Sequence, residues 1–495
     1  MNGAADRRDF SFRFVFGAVL TFVLLLPLVS IFFHVSALRL PPVDDIASVF
    51  LFTLLQAALS ALASLIFGVL GGFGLLALSL RGNRAGRVGE ALTLLPNAAP
   101  VIVILLATMK VLPSLRGLTG IIFVHSLLNI GLVAVSFTQL ARTKIAALAE
   151  LAWVEGASGW KFFWRGAFPI LRTDLLLLFL FVFALCFSSF AVPLMIGGSR
   201  ATTIEVLIYQ KVRLSSDWSE ALGLATLQLL PVMILSWLLT KRQSAPIGFR
   251  VSRTPLLSWS PGLIFCLAPV ALLFWGLIDG VDRGLNQLRA LGSFLDELPI
   301  LILGSAFVSV GSGLLTLMLL LVIAFISPAG KYRKALLGYA APSSVLTGFG
   351  LLIFWRELGG ATYLKIILGL ALISLPAFYR LRWDSALRAL DGQVVVARTL
   401  GASRLMIFSR ILFPQLIRPA TWIGGLAALW AWGDFALSSV IAERAVTLPL
   451  AIRTLMETYR FDAATVLIWL VLGGGLITFA LFLGAGYVLG PKSKT

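Results

Sequence analysis

Asp434 follows Trp432-Gly433 and precedes Phe435 in an otherwise apolar run, four places beyond a further tryptophan at Trp430. A carboxylate in a hydrocarbon core costs roughly 2.5–3.5 kcal/mol on insertion scales, so such a residue either serves a pathway or reaches water. Counted at about 1.5 Å per residue from Arg418, it lies roughly 24 Å along a core about 30 Å thick. Two readings stand. Asp434 attracts a cation inside a pathway lined by Phe190, Trp430 and Trp432, or it is an interfacial aspartate among the aromatic residues that gather at a membrane surface.

Other reactive side chains are sparse. The two histidines, His34 and His125, lie in or near apolar stretches with no second ligand at metal-binding spacing, so no metal is expected. Cys186 and Cys266 fall inside apolar runs, where they act as small hydrophobes rather than as a disulfide framework. No Gly-x-x-x-x-Gly-Lys-Ser/Thr loop occurs, so the chain has no usual cradle for nucleotide phosphates. Catalytic residues are therefore not expected.

The elements that hold these residues follow from composition. The 495 residues are 59% hydrophobic and 13% charged, against about 25% charged in an ordinary soluble domain. Apolar windows long enough to cross a bilayer recur near 12–34, 47–80, 91–112, 118–140, 172–196 and 217–241, and again near 259–280, 297–327, 336–356, 361–382, 418–442 and 463–489. They are continuously apolar, which excludes the alternating strands of a membrane barrel. The expected fold is an all-α polytopic membrane protein of about twelve transmembrane helices.

The net charge of +18 marks topology rather than nucleic acid. With the N-terminus inside, inward loops hold 27 of the 40 Lys and Arg, among them Arg7, Arg8, Arg81, Arg84, Arg87, Lys241, Arg242, Lys331, Arg333 and Lys334. Outward loops are diluted by Asp44, Asp45, Glu220, Asp282, Asp296 and Glu297. Both termini are expected to be cytoplasmic. The Arg7-Arg8 pair ahead of an apolar stretch faintly resembles a twin-arginine export signal, but a retained first helix fits better, since no small-residue cleavage site follows.

The second half restates the first at an offset of 245 residues. Residues 152–171 and 397–416 share nine identities: Ala152/Ala397, Gly156/Gly401, Ala157/Ala402, Ser158/Ser403, Phe163/Phe408, Arg165/Arg410, Phe168/Phe413, Pro169/Pro414 and Leu171/Leu416. Chance in so Leu- and Ala-rich a chain gives roughly two. Phe190-Ala191 recurs as Phe435-Ala436, and the Ala-Ala-Pro at 98–100 recurs at 340–342. Six spans per half give both copies the same sidedness, a parallel repeat. The halves are 1–241 and 259–495, joined by a cytoplasmic linker at 242–258 that is basic and holds Pro246 and Pro255.

Each half carries one cytoplasmic loop, about 141–169 and 384–414, too polar to span. Gly156 suits the left-handed residue that ends a short helix, Ser158 caps the next, and Pro169 fits the first turn of the following span. Gly401, Ser403 and Pro414 repeat that grammar, which predicts two short helices meeting at a sharp angle before a transmembrane helix.

Here the chain resembles the permease subunits of ABC importers, whose signature is Glu-Ala-Ala, three residues, Gly, nine residues, Ile-x-Leu-Pro. The first copy supplies Glu150, Ala152, Gly156 and Pro169, and departs at Leu151, Gly166 and Phe168; the second supplies Ala397, Gly401, Ile411 and Pro414, and departs at Val395, Val396 and Phe413. Only the first keeps the acidic residue. The resemblance extends to the fused permeases of the thiamine and ferric-iron uptake group. The stretches at 201–210, 447–450 and 459–464 look most thiamine-like, and serve either as scaffold at the outer mouth or as a surface touched by a binding protein.

The resemblance implies a type I permease fold in a bacterial inner membrane. It further implies two copies of a separate ATPase subunit docked on the two loops, ATP and Mg bound by those subunits and no cofactor on this chain. A periplasmic solute-binding protein would dock outside, and a thiamine-like cation or ferric iron would be the solute. The docking residues it marks are Glu150, Ala152, Gly156, Ala157, Ser158, Arg165 and Pro169, with Ala397, Gly401, Ala402, Ser403, Arg410 and Pro414. Two rivals remain: a secondary transporter driven by an ion gradient, which should show charged or broken helices at mid-membrane, and a membrane-embedded enzyme acting on lipid-linked sugars, which needs a cluster of acids or histidines.

Overall fold

The computed structural model describes residues 3–33, 39–198, 201–240, 255–326, 343–355 and 362–490. Most of the 242–258 linker, His34, the basic cluster at 331–334 and the Ala-Ala-Pro at 340–342 lie outside the described residues. Every regular element among the described residues is helical. Seven helices are long and apolar enough to cross a membrane: Val43–Leu80, Gly117–Val154, Gly159–Phe187, Ser260–Ile278, Phe294–Ile326, Thr362–Arg388 and Phe461–Leu489. Gly17–Phe33, Val101–Val111 and Ser344–Phe354 are shorter apolar helices. The chain is an all-α polytopic membrane protein, as its composition requires.

Three runs expected as continuous spans are interrupted. The 91–112 run turns at Leu94 and again at Ala99, before Pro100, because proline holds its predecessor in the extended region; the helix that follows is only Val101–Val111. The 172–196 run is a helix Phe168–Phe187, a break, and a short helix Ala191–Ile196. The 418–442 run is Phe413–Trp432, a break at Gly433 and Asp434, and Ala436–Ile441. Hydrophobicity alone does not reveal a break that buried neighbours can satisfy.

Small residues let the long helices approach closely. A Cβ on Gly313 would stand 2.5 Å from the Gly424 carbonyl oxygen, and one on Gly424 would stand 2.9 Å from that of Gly313, so the Gly292–Ile326 and Phe413–Trp432 helices cross backbone to backbone. The core is shared along the whole chain. The Val101–Val111 helix has Ile102 to Ala107 all at 1% exposure or less and packs among residues as distant in sequence as Leu273, Leu448 and Leu467. A helix apolar on all sides is stable only when so enclosed.

Candidate coupling loops and membrane cavity

The two loops have one construction. In the first, a π-helical turn Ala141–Ile145 leads into the helix Ala146–Val154, which stops at Gly156 with φ +71°. The Gly156 N–H donates to the Trp153 carbonyl at 3.0 Å and the Ala157 N–H to the Ala152 carbonyl at 2.9 Å. This closure leaves the glycine left-handed and satisfies carbonyls the helix end would orphan. Ser158 Oγ then accepts the Lys161 N–H at 3.4 Å to start Gly159–Phe162. A second π-helical segment, Phe163–Ala167, and Pro169 in the first turn of Phe168–Phe187 complete the passage.

In the second loop the helix Asp391–Thr399 stops at Gly401 with φ +77°. Gly401 donates to Arg398 at 3.0 Å and Ala402 to Ala397 at 3.0 Å. Ser403 Oγ accepts from Met406 at 3.4 Å, the π-helical segment is Phe408–Leu412, and Pro414 opens Phe413–Trp432. From the short second helix onward the register is 245 residues, and no Cβ placed on Gly156 or Gly401 would meet anything within 4 Å.

Glu150, Gly156, Ser158, Arg165 and Pro169 are exposed, as are Gly401, Ser403 and Arg410, while Ala152, Ala157, Ala402 and Pro414 are half-buried and Ala397 is buried. Beside them stand apolar side chains in the open: Val154 at 77% exposure and Trp160 at 72% in the first loop, Leu400 at 81% and Leu405 at 67% in the second. Leu151, Trp153, Val395 and Val396 are also exposed. Together they form an exposed apolar patch on each loop, one among several apolar surfaces of the chain. Underneath, buried Phe162 and Ile407 pin each short helix to the body of the protein.

The breaks at the other ends of Phe168–Phe187 and Phe413–Trp432 meet at a cavity of about 350 Å³. Phe190, Trp430 and Asp434 line it, together with Asn97, Ser189 and Ser374. Asp434 accepts the Leu437 and Ser438 N–H groups at 3.3 and 3.1 Å and the Ser438 hydroxyl at 2.9 Å. Its carboxylate therefore starts the Ala436–Ile441 helix while standing at the cavity wall. Trp430 is 40% exposed and packs on Phe378 at 4.8 Å between ring centroids. Trp432 is not in the lining: it is 4% exposed and donates from Nε1 to Thr478 Oγ1 at 2.9 Å, being on the opposite side of its helix from a residue two places earlier.

Sequence reasoning missed the polar lining at Asn97, Ser188, Ser189 and Ser374. One signal was present, because the 245-residue register sets Ser189 against Asp434. Glu205 was missed as well: it is fully buried and bonded to Gln228 Nε2.

Curated relatives align with most of the chain. It is 26% identical over 414 residues to the thiamine transport system permease protein of Salmonella typhimurium, covering 77% of this chain and 74% of the relative. The Escherichia coli protein of the same name is 26% identical over 417 residues, with the same coverage. The Haemophilus influenzae protein is 36% identical over 120 residues, 24% of this chain. No family model and no solved structure matches the chain.

Proposed function

We propose that the chain is the permease subunit of an ATP-driven importer of the ABC class, with both permease halves, 1–241 and 259–495, in one polypeptide. The observation that carries this reading is the twice-built loop, each copy leading through a π-helical segment into a helix that ends at the cavity. Twenty residues at about 1.5 Å each make a rod of about 30 Å, long enough to relay a displacement from loop to cavity. The chain is not itself catalytic. Two ATPase subunits binding ATP and Mg would seat the exposed apolar residues around Gly156 and Gly401, and their closure would favour one arrangement of the two halves over the other.

The solute we assign is a thiamine-like organic cation, delivered by a binding protein at the end opposite the loops. The names of the curated relatives support it, as do a carboxylate and an exposed indole in one cavity, since aromatic faces and acids both attract cations. The ferric-iron alternative has only the loop resemblance behind it. The excess of Lys and Arg in the loop-side segments supports an inner-membrane orientation with both termini cytoplasmic.

The test is uptake of labelled thiamine into proteoliposomes holding the chain with its ATPase and binding protein. Accumulation that requires ATP hydrolysis is expected. Uptake by the chain alone, driven by an ion gradient, overturns the reading in favour of a secondary transporter.

A further inference from the structure

Two ten-residue helices, Ile204–Arg213 and Leu448–Glu457, follow the cavity-lining breaks, one in each half of the repeat. Each begins in the same way. The Ile204 N–H donates to Thr53 Oγ1 at 3.0 Å and the Leu448 N–H to Ser305 Oγ at 2.8 Å, so each helix is fastened at its start to the long helix of its own half.

Farther along they meet across the halves. Tyr209 and Arg453 are the sixth residues of their respective helices. Arg453 Nη1 and Nη2 both lie 3.3 Å from Tyr209 Oη, and its guanidinium carbon is 5.6 Å from the tyrosine ring centroid. By their place in the helix the two positions are equivalent, one residue off the 245-residue register, and contact between equivalent positions falls near the axis that relates two copies. The Tyr209 ring also packs at 5.1 Å on Phe190, which lines the cavity. Arg453 is held on its other side by Glu457 Oε1 at 2.7 Å.

A second contact crosses beside the first. Arg213 Nε donates to the Val440 carbonyl at 2.6 Å, and Nη1 lies 3.8 Å from Glu443. Val440 belongs to Ala436–Ile441, whose first residue is at the cavity wall. Guanidinium groups thus bridge the halves through one tyrosine and one carbonyl, each next to an element that lines the cavity.

We propose that Tyr209 and Arg453, flanked by Arg213 on Val440, are a latch that shuts the cavity at the end opposite the coupling loops and parts when solute passes. The proposal rests on the transport reading. Its logic is mechanical: each helix start is fastened within its own half, both helices also pack apolar side chains against the other half, and Tyr209–Arg453 and Arg213–Val440 are polar contacts between the halves that break and re-form without unfolding either helix. A guanidinium over a ring is held by electrostatics that water can replace.

The test uses the whole transporter in right-side-out vesicles, with Cys186→Ala, Cys266→Ala and Ser189→Cys, and a membrane-impermeant maleimide added from the side opposite the loops. Arg453→Ala is expected to raise labelling at position 189 about tenfold and Tyr209→Phe, which keeps the ring, by a smaller factor. Labelling of Arg453→Ala at the parent rate overturns the latch. This readout needs no transport, so it separates failure of the latch from failure of the transport reading. In a second measurement, Tyr209→Cys with Arg453→Cys is bridged by a short bismaleimide in the Cys186→Ala, Cys266→Ala background. Bridging is expected to stop uptake, and uptake continuing at the unbridged rate after complete bridging also overturns the latch.

Discussion

Lys144 Nζ lies 2.7 Å from Asp174 Oδ1, which ties the start of the first coupling loop to the helix that leaves it. Ahead of the second loop a π-helical turn, Tyr379–Trp383, is followed by the short helix Asp384–Arg388 and uses a different bond: Arg382 sits 4.7 Å over the Trp422 ring of the outgoing helix. An ion pair and a cation–π contact do the same work, closing each loop at its base. Lys144→Ala is expected to cost about 1 kcal/mol, since both partners are partly exposed and screened by water, and Arg382→Ala a similar amount. Thermal unfolding of each variant in detergent checks this. If salt lowers the melting point of the parent but leaves that of Lys144→Ala unchanged, the ion-pair assignment stands.

Gly156 and Gly401 hold a left-handed backbone with nothing near a Cβ, so the penalty of substitution is conformational rather than steric. Valine there costs roughly 1–2 kcal/mol per site, and asparagine, which tolerates that region, much less. Co-purification of the ATPase should fall roughly tenfold for Gly156→Val and again for the double variant, and recover with Gly156→Asn. Equal loss with valine and asparagine would show that backbone handedness is not what the loop requires.

Asp434 both caps a helix and faces the cavity, and two substitutions separate the roles. Asparagine caps as well as aspartate, so Asp434→Asn should leave the melting point near the parent's while uptake of a cation falls by roughly tenfold. Asp434→Ala should lose both, with about 1 kcal/mol of stability. Normal uptake by Asp434→Asn would reduce the carboxylate to a capping group.

Gly433 fills the break next to Asp434, where an added Cβ would stand 2.0 Å from that of Pro100. Gly433→Ala should therefore displace the cavity wall and destabilise by about 1–3 kcal/mol. Gly473, in the helix Phe461–Leu489, has nothing within 4 Å of such an atom, and its alanine variant should gain about 0.5–1 kcal/mol. Melting points moving in opposite directions check the pair.

The loops were legible in the sequence because their geometry needs particular residues: a glycine for the left-handed stop, a hydroxyl for the cap, a proline for the first turn. Their π-helical segments leave no such mark. The cavity was half legible. Asp434, Phe190 and Trp430 were found because a charge or a repeated aromatic in an apolar run stands out, but Trp432 faces Thr478, a matter of two residues of helical phase that composition does not report. The breaks at 188–190 and 433–434 were hidden inside runs that stayed apolar throughout. Contacts between chain segments more than 200 residues apart, such as Tyr209 with Arg453, have no local signature at all.

Tyrosine facing arginine at the axis is a pairing that two identical subunits cannot make. A symmetric dimer of either half would set tyrosine against tyrosine there, or arginine against arginine, and the latter would repel. With both copies in one chain that position need not be self-complementary, so one copy carries the ring and the other the cation. Ser189 matched with Asp434 by the 245-residue register, and Glu150 matched with Val395, are further positions where the copies differ. Each half thus holds one side of a contact that the other completes, and the two cannot be exchanged.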